Sequence, residues 1–448
     1  MLIKNAIIIN EGQSFKGSVL VKGDSIQSVF HEGDVLPADE DTIDAEGQFL
    51  LPGVIDDHVH MRDPGLTHKA DMDTETLAAA AGGVTSVMDM PNVIPQTTTL
   101  ELWQERMDYA SKHCHVNYAF YLGATNTNLE EIRRMDKRKI PALKLFMGSS
   151  TGGMLVEEED TLRKIFAECP TLIMTHCEDT DRINQRMKEA QAKEGDDPSV
   201  TLHAWIRDDE ACYKSTSLAV RMARETGARL HVAHITTRKE LDLLPSPSTE
   251  LWCKNLITAE VCPQHLYFTD EDYRTKGTLI KCNPSIKSAD DRAALQEALR
   301  NGTINIVGTD HAPHLLAEKE GGAKKAVSGM PLVQFSLPLM LTLAEEGLCS
   351  KERVIEVMCH NPAILFGIDK RGFIRPGYKA DLVLVSPHQW TVSREDVLSK
   401  CGWSPIEGTP LKWAVSQTWV NGTRVFDATE GVQKEVLGES LEFHADNA

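Results

Sequence analysis

Two histidines of a type that can bind metal ions follow a hydrophobic segment early in the chain. His58 and His60 are separated by a single residue and come after the apolar run that begins at Val54. Because side chains alternate between the two faces of a strand, both imidazoles project from one face. Two imidazoles on one face can bind a divalent cation, although a pair of hydrogen-bonded core histidines would show the same spacing.

A lysine lies within a second apolar segment, Ala142–Met147. An ammonium group is costly to bury in such a strand unless it is paired. Lys144 therefore has three interpretations: it pairs with a carboxylate, it projects outward between helices, or it is a neutral amine that reacts with CO₂. The carbamate formed in the last case is an anion able to bridge two metal ions.

Further polar side chains end other hydrophobic segments. His231 and His234 face opposite sides of their strand, and only His234 lies at its carboxyl end. His176 ends another strand, and Asp310 lies in a position where a carboxylate can both ligate metal and move protons. Together these segments predict a binuclear metal site with the ligands His58, His60, Lys144, His176, His234 and Asp310.

The six side chains fall at the ends of predicted strands that alternate with helical patterns such as Glu157–Glu168 and Asp209–Thr226. The strand candidates are Val54–His60, Val84–Met90, Val116–Leu122, Ala142–Met147, Leu172–His176, Leu230–His234, Leu256–Val261 and Ile304–Thr309. Eight such units predict the α/β class with a (β/α)8 TIM barrel, whose active site lies at the carboxyl ends of the strands. A doubly wound sheet is the alternative, but no Gly-x-Gly-x-x-Gly follows a strand.

Both ends of the chain are rich in short β-branched runs. Neither end holds enough apolar surface for its own core, and the C-terminal runs include an Asn421-Gly422 hairpin turn. We therefore expect residues 1–51 and 376–448 to form one small β-sandwich domain beside a barrel of residues 52–375.

The composition limits the classes of partner. The chain has 448 residues, and 47 basic against 66 acidic residues give a net charge of −19, which argues against nucleic acid and anionic membranes. No apolar run approaches the roughly 20 residues that span a bilayer. Ten cysteines without a CxxC pair, and an N-terminus without the pattern of a signal peptide, predict reduced thiols and a cytoplasmic enzyme with a small-molecule substrate.

The metal-ligand pattern resembles that of the amidohydrolase superfamily, and it is more closely similar to its dihydroorotase family. The segments that carry the resemblance are Asp57–Gly65, Met90-Pro91-Asn92, Lys281-Cys282-Asn283-Pro284 and Asp310-His311-Ala312-Pro313-His314. The likeness covers essentially the whole chain, including both β-rich ends.

The resemblance implies a specific reaction and site. It implies reversible cyclisation of N-carbamoyl-L-aspartate to L-dihydroorotate plus water, in pyrimidine biosynthesis. Two Zn²⁺ ions would share a hydroxide, carboxylated Lys144 would bridge them, and Asp310 would be the general acid and base. The implied substrate-binding residues are Arg62, Asn92, Asn283 and His314. The family also suggests a homodimer.

Several alternatives stay open from the sequence. Hydantoinases, dihydropyrimidinases and allantoinases share the metal set, and some dihydroorotase-like chains are non-catalytic scaffolds. Arg62 could instead form a surface salt bridge, and the two asparagines could be turn residues. The segment Gly148–Gly153 predicts a flap, and Pro331-Leu332-Val333-Gln334 departs from the family pattern. Glu260, Gln264 and His265 are either supporting groups or packing.

Overall fold

Strands from both ends of the chain form one nine-stranded sheet. The computed structural model describes residues 1–148, 153–245 and 255–444. The sheet strands are β1 (Leu2–Asn10), β2 (Gln13–Lys22), β3 (Ser25–His31), β4 (Thr42–Asp44), β5 (Phe49–Pro52), β15 (Leu382–Thr391), β16 (Pro410–Val420), β17 (Thr423–Asp427) and β18 (Gly431–Val432). Their order is β18-β17-β16-β15-β5-β1-β2-β3, with β4 paired to β1, so antiparallel pairing of β5 with β15 joins the two ends.

The central strands are short, buried and parallel to their neighbours. They are β6 (Val54–Val59), β7 (Val84–Asp89), β8 (Asn117–Phe120), β9 (Leu122–Gly123), β10 (Ala142–Met147), β11 (Leu172–Cys177), β12 (Leu230–Val232), β13 (Ile257–Val261) and β14 (Ile306–Val307). β8 and β9 are one strand interrupted at Tyr121. The pairs β6–β7–β8 and β9 through β14 follow chain order.

The cylinder closes where the last strand meets the first. Val59 forms a parallel bridge with His311, and the His60 backbone N–H donates to the His311 carbonyl oxygen at 2.7 Å. The eight predicted strands are therefore present and form a closed (β/α)8 barrel, which confirms the predicted fold class.

Helices lie between and after the barrel strands along the chain. They are α1 (Met72–Ala81), α2 (Leu100–Ala110), α3 (Leu129–Arg133), α4 (Glu159–Glu168), α5 (Thr180–Glu194), α6 (His203–Ile206), α7 (Asp209–Thr226), α8 (Arg238–Leu241), α9 (Pro263–Tyr267), α10 (Tyr273–Lys276), α11 (Ala289–Asn301), α12 (Ser336–Glu345), α13 (Lys351–Ile355) and α14 (Asn361–Phe366). The predicted helix 209–226 matches α7. Asp208 caps the first turn of α7 and Gly227, with φ of 77°, ends it.

The terminal sheet has its own apolar core. Ile8, Val21 and Leu50 from the N-terminal strands pack with Leu382 and Trp419 from the C-terminal strands. The predicted Asn421-Gly422 turn is present, because both residues have positive φ and Val420 pairs with Thr423. No helix in the described part of the chain is long and apolar enough to cross a membrane.

Candidate active site

A cavity of about 480 Å³ opens at the carboxyl ends of the barrel strands. Its walls include every residue that the sequence assigned to the site: His58, His60, Arg62, Asn92, Lys144, His176, His234, Asn283, Asp310 and His314. The strands converge at this end, so residues that lie up to 256 positions apart in sequence face one space.

The first group of polar side chains surrounds one carboxylate oxygen. His60 Nε2 lies 3.0 Å and His58 Nε2 3.5 Å from Asp310 Oδ1. Lys144 Nζ lies 3.5 Å from the same His58 nitrogen. Ligand atoms of His58, His60 and Asp310 all lie within 4.8 Å of one another, a spacing that allows them to share one metal ion.

A second group adjoins the first. His176 Nδ1 and His234 Nε2 are 3.0 Å apart, and the His58 and His234 ring centroids are 5.2 Å apart. Lys144, from β10, lies in the same cavity wall as both groups. The structure thus brings the six predicted ligands together in two adjoining sets.

Acceptor oxygens fix the orientation of three of the histidines. Glu260 Oε1 lies 3.0 Å from His58 Nδ1, Asn92 Oδ1 lies 2.8 Å from His60 Nδ1, and Glu178 Oε2 lies 2.8 Å from His176 Nε2. Each of these oxygens can only accept, so the ring nitrogen beside it carries the proton and donates. The opposite nitrogen of each ring therefore presents a lone pair to the centre of the site.

This arrangement fits a divalent metal. Burial lowers the pKa of His58 to about 3 and that of His60 to about 4, which keeps both rings neutral near pH 7. Neutral imidazole lone pairs then face the Asp310 carboxylate, an arrangement that a cation between them stabilises. Ligating histidines in metal sites usually donate their other N–H to a carboxylate or carbonyl, as these three do.

Lys144 is buried without an ionic partner. Its side chain is 1% exposed, and within the described ranges no carboxylate oxygen lies within 4.0 Å of its Nζ. Burial lowers the pKa of this amine. It lines the cavity, so it does not project outward between helices.

Asp310 remains ionised despite its burial. Desolvation alone would raise its pKa, but attraction to His58, His60 and Lys144, which are all cationic in the acidic range where Asp310 titrates, outweighs that effect and brings its pKa to about 2. The backbone φ of Asp310 is 49°, and those of His234 and Arg62 are 38° and 65°. Non-glycine residues rarely adopt positive φ, and such strain concentrates at functional sites.

Cationic and polar donors gather at one side of the cavity. Arg62 Nη2 lies 2.9 Å from His314 Nε2, and Arg62 Nε donates to the Pro313 carbonyl at 3.1 Å. Lys69 Nζ lies 3.1 Å from His314 Nδ1 and 2.6 Å from Glu318. A neutral imidazole carries only one N–H, so one ring nitrogen of His314 accepts from a cation while the other points its N–H at the second cation. An anion bound here could accept from both that N–H and the cation beside it.

Arg62 is not the surface salt bridge that its sequence context allowed. It is 7% exposed, and in the part of the chain that the structure describes no carboxylate oxygen lies within 4.0 Å of its guanidinium. Asn92 accepts from His60 through Oδ1, which leaves its Nδ2 as the donor. Asn283 Oδ1 is buried without a hydrogen-bond partner among the described residues.

Some groups beside the cavity are not apparent from the sequence. Glu178 and Lys69 were not predicted, although Glu178 lies only two residues beyond His176. Glu260 contacts His58 directly, whereas Gln264 donates to the Thr309 carbonyl at 3.0 Å and His265 contacts the Pro284 carbonyl at 3.2 Å, which are packing roles. Residues 149–152 of the predicted flap lie outside the described residues.

Comparisons with known proteins agree with this geometry. The family model described as the amidohydrolase family matches residues 49–425. A dihydroorotase of Methanosarcina acetivorans is 33% identical over 91% of this chain and 88% of its own length. An L-hydantoinase of Paenarthrobacter aurescens is 32% identical over 98% of this chain and 97% of its own.

A solved structure extends the likeness to three dimensions. The L-hydantoinase (dihydropyrimidinase) from Arthrobacter aurescens superposes with a TM-score of 0.91 at 30% identity, covering 98% of this chain and 99% of its own. The resemblance to the superfamily and to dihydroorotase, drawn from motifs, is confirmed by these matches. The chain belongs to the amidohydrolase family of enzymes.

Proposed function

We propose that this protein is a dihydroorotase, which interconverts N-carbamoyl-L-aspartate and L-dihydroorotate. The observation that carries the proposal is Arg62, a buried arginine without a carboxylate partner in the described chain, beside the predicted metal ligands. An uncompensated buried charge is costly, so its retention in the cavity wall fits a ligand that brings the opposite charge.

The substrate carboxylate matches the donors around Arg62. Dihydroorotate carries a carboxylate on a ring carbon away from the amide that is hydrolysed. A guanidinium binds such a group through two parallel N–H bonds. Asn92 Nδ2 and an N–H of His314 supply further donors, and the unpartnered Asn283 Oδ1 can accept from a ring N–H.

The second part of the proposal concerns the metal centre. His58, His60, Lys144, His176, His234 and Asp310 would hold two Zn²⁺ ions, with Lys144 carboxylated. The ions would supply a water of lowered pKa and a polarised amide carbonyl. The supporting observations are the converging lone pairs and the buried Lys144 amine, which has no ionic partner among the described residues.

The chain's own residues account for orientation and proton transfer. Arg62, Asn92 and His314 would hold the carboxylate, which fixes the ring with its amide toward Asp310. In hydrolysis Asp310 takes a proton from the attacking water and gives it to the ring nitrogen as the C–N bond breaks. In cyclisation the same carboxylate takes the proton from the attacking ureido nitrogen as the C–N bond forms, and it gives that proton to the substrate carboxylate oxygen that leaves as hydroxide when the C–O bond breaks.

A second candidate is hydantoin hydrolysis. The L-hydantoinase matches, at 32% identity in sequence and a TM-score of 0.91 in structure, favour it. Hydantoin and dihydrouracil lack the carboxylate, so they would leave the Arg62 charge uncompensated. A non-catalytic scaffold would not need all six predicted ligands, which line this cavity together.

The deciding experiment is a substrate panel. Zinc-loaded protein is assayed with L-dihydroorotate, hydantoin, dihydrouracil and allantoin under one set of conditions. We expect dihydroorotate to have the highest kcat/KM. A higher kcat/KM for any of the uncharged rings would overturn the proposal. A cytoplasmic location, a homodimer and the domain limits 1–51, 52–375 and 376–448 remain predictions.

A further inference from the structure

A second cluster of buried polar side chains lies inside the barrel beneath the cavity. It consists of Asp57, His231 and Glu260, each 0% exposed, and none of the three lines the cavity. Ligand atoms from the three residues all lie within 4.8 Å of one another. His231 Nε2 is 3.6 Å from Asp57 Oδ2, which is beyond hydrogen-bond distance.

The polar atoms that face this cluster have no partners. Within the described residues, both carboxylate oxygens of Asp57, Oε2 of Glu260 and Nε2 of His231 are buried without a hydrogen bond. No lysine or arginine nitrogen of those residues lies within 4.0 Å of either carboxylate. Buried polar groups are almost always satisfied, so four orphaned atoms in one place call for an occupant.

The hydrogen bonds of His231 show which charge that occupant carries. Thr258 Oγ1 donates to the Leu230 carbonyl at 3.4 Å, so its oxygen is left to accept from His231 Nδ1 at 2.8 Å. The proton of the imidazole then lies on Nδ1, and Nε2 presents a lone pair. A lone pair and unpartnered carboxylate oxygens face one another, and a divalent cation between them would stabilise all of these atoms.

The backbone leaves room for this cluster. A Cβ atom added to Gly308 would lie 2.6 Å from Asp57 Oδ1 and 2.8 Å from Glu260 Oε2. A side chain at position 308, just after β14, would therefore occupy the space beside the two carboxylates. Glu260 also connects this cluster to the cavity, because its other oxygen, Oε1, accepts from His58 Nδ1 and from the His234 backbone N–H, both at 3.0 Å.

We propose that Asp57, His231 and Glu260 form a separate binding site for one divalent transition-metal cation, which is distinct from the metal centre in the cavity. One imidazole and two carboxylates are a donor set for Zn²⁺ or Mn²⁺. A divalent cation would neutralise the two carboxylates and hold Glu260 in the orientation that fixes His58. The proposal does not depend on the substrate of the cavity.

Metal counting tests the proposal on the full-length protein. The protein is grown and purified with zinc, and metal per chain is measured by elemental analysis before and after dialysis against dipicolinate. The three residues are fully buried and do not line the cavity, so we expect wild type to keep one equivalent after the chelator removes the cavity metals. His231→Gln should hold one equivalent less than wild type and keep none after dialysis.

Two further variants control the comparison. His360→Gln removes another buried imidazole, whose nitrogens contact the Gly372 carbonyl at 2.6 Å and the Glu11 backbone N–H at 2.9 Å, and it should hold as much metal as wild type. Asp57→Asn should behave as His231→Gln does, and it serves if the histidine variant fails to fold. Equal metal in wild type and both site variants, or no chelator-resistant equivalent in wild type, would overturn the proposal.

Discussion

Replacement of Arg62 by methionine tests how the cavity recognises its substrate. Methionine has a similar length and is apolar, so the variant removes the charge and the fork of N–H donors but fills most of the volume. Arg62 donates to the Pro313 carbonyl and lies 2.9 Å from His314 Nε2, and it has no ionic partner among the described residues. Its loss should therefore affect an anionic substrate far more than the fold.

The expected size of the effect follows from the burial of this group. Truncation of one partner of a buried, hydrogen-bonded charge pair costs about 2–5 kcal/mol. Because about 1.4 kcal/mol is a tenfold change, kcat/KM for dihydroorotate should fall by a factor between about 30 and several thousand. For an uncharged ring such as dihydrouracil the change should stay below about threefold, or roughly 0.7 kcal/mol.

The assay follows ring opening of both substrates by Arg62→Met, Arg62→Lys and a rim control. Lys324 is the rim control, because it also lines the cavity but is partly exposed and pairs with Asp196 at 2.9 Å. For Lys324→Met, kcat/KM for dihydroorotate should fall by less than about threefold, as expected for an exposed charge. The kcat/KM of Arg62→Lys for dihydroorotate should lie between those of wild type and Arg62→Met. Equal losses on the charged and uncharged rings would refute the carboxylate role, provided that thermal unfolding shows the variant folded.

Three other substitutions test separate parts of the structure. Asp310→Asn should reduce turnover by about 10²–10⁴, as expected when a general acid and base is removed, and a wild-type rate would contradict this role. Glu178→Ala releases His176 Nε2, so metal affinity measured against a coloured chelator should fall by about 10–100-fold; unchanged affinity would show that Glu178 does not orient the ligand. Trp419→Ala should lower the free energy of unfolding in urea by about 3–5 kcal/mol, because Trp419 is 1% exposed in the terminal sheet, and a loss below about 1 kcal/mol would count against that core.

The barrel was predictable because its strands are buried on both faces and are mostly apolar. Strand β10 has the predicted bounds, Ala142–Met147, and every residue in it is buried. A strand that is buried on both faces appears in the sequence as a nearly continuous apolar run, which marks where it begins and ends. The last strand is shorter than predicted, Ile306–Val307 instead of Ile304–Thr309. After this strand, Thr309 Oγ1 donates to Asp56 at 2.6 Å and Asp310 has a positive φ. The backbone therefore stops pairing with β13 before Asp310, whose side chain lies in the cavity wall.

The cavity residues were predictable to different degrees. Histidines, a lysine and an aspartate at strand ends are rare enough that their type and place pointed to one site. Glu178 and Lys69 could not be assigned in the same way, because glutamates and lysines are common on surfaces. Their contacts with His176 and His314 arise only when separate strands and loops meet in the folded barrel.

The most direct test of the metal centre is diffraction at the zinc absorption edge from crystals of the zinc-loaded protein. We expect two anomalous peaks within bonding distance of the six cavity ligands, together with carbamate density on Lys144 Nζ. An unmodified Lys144 amine, with no anomalous peak beside His58, His60, His176, His234 or Asp310, would contradict this expectation.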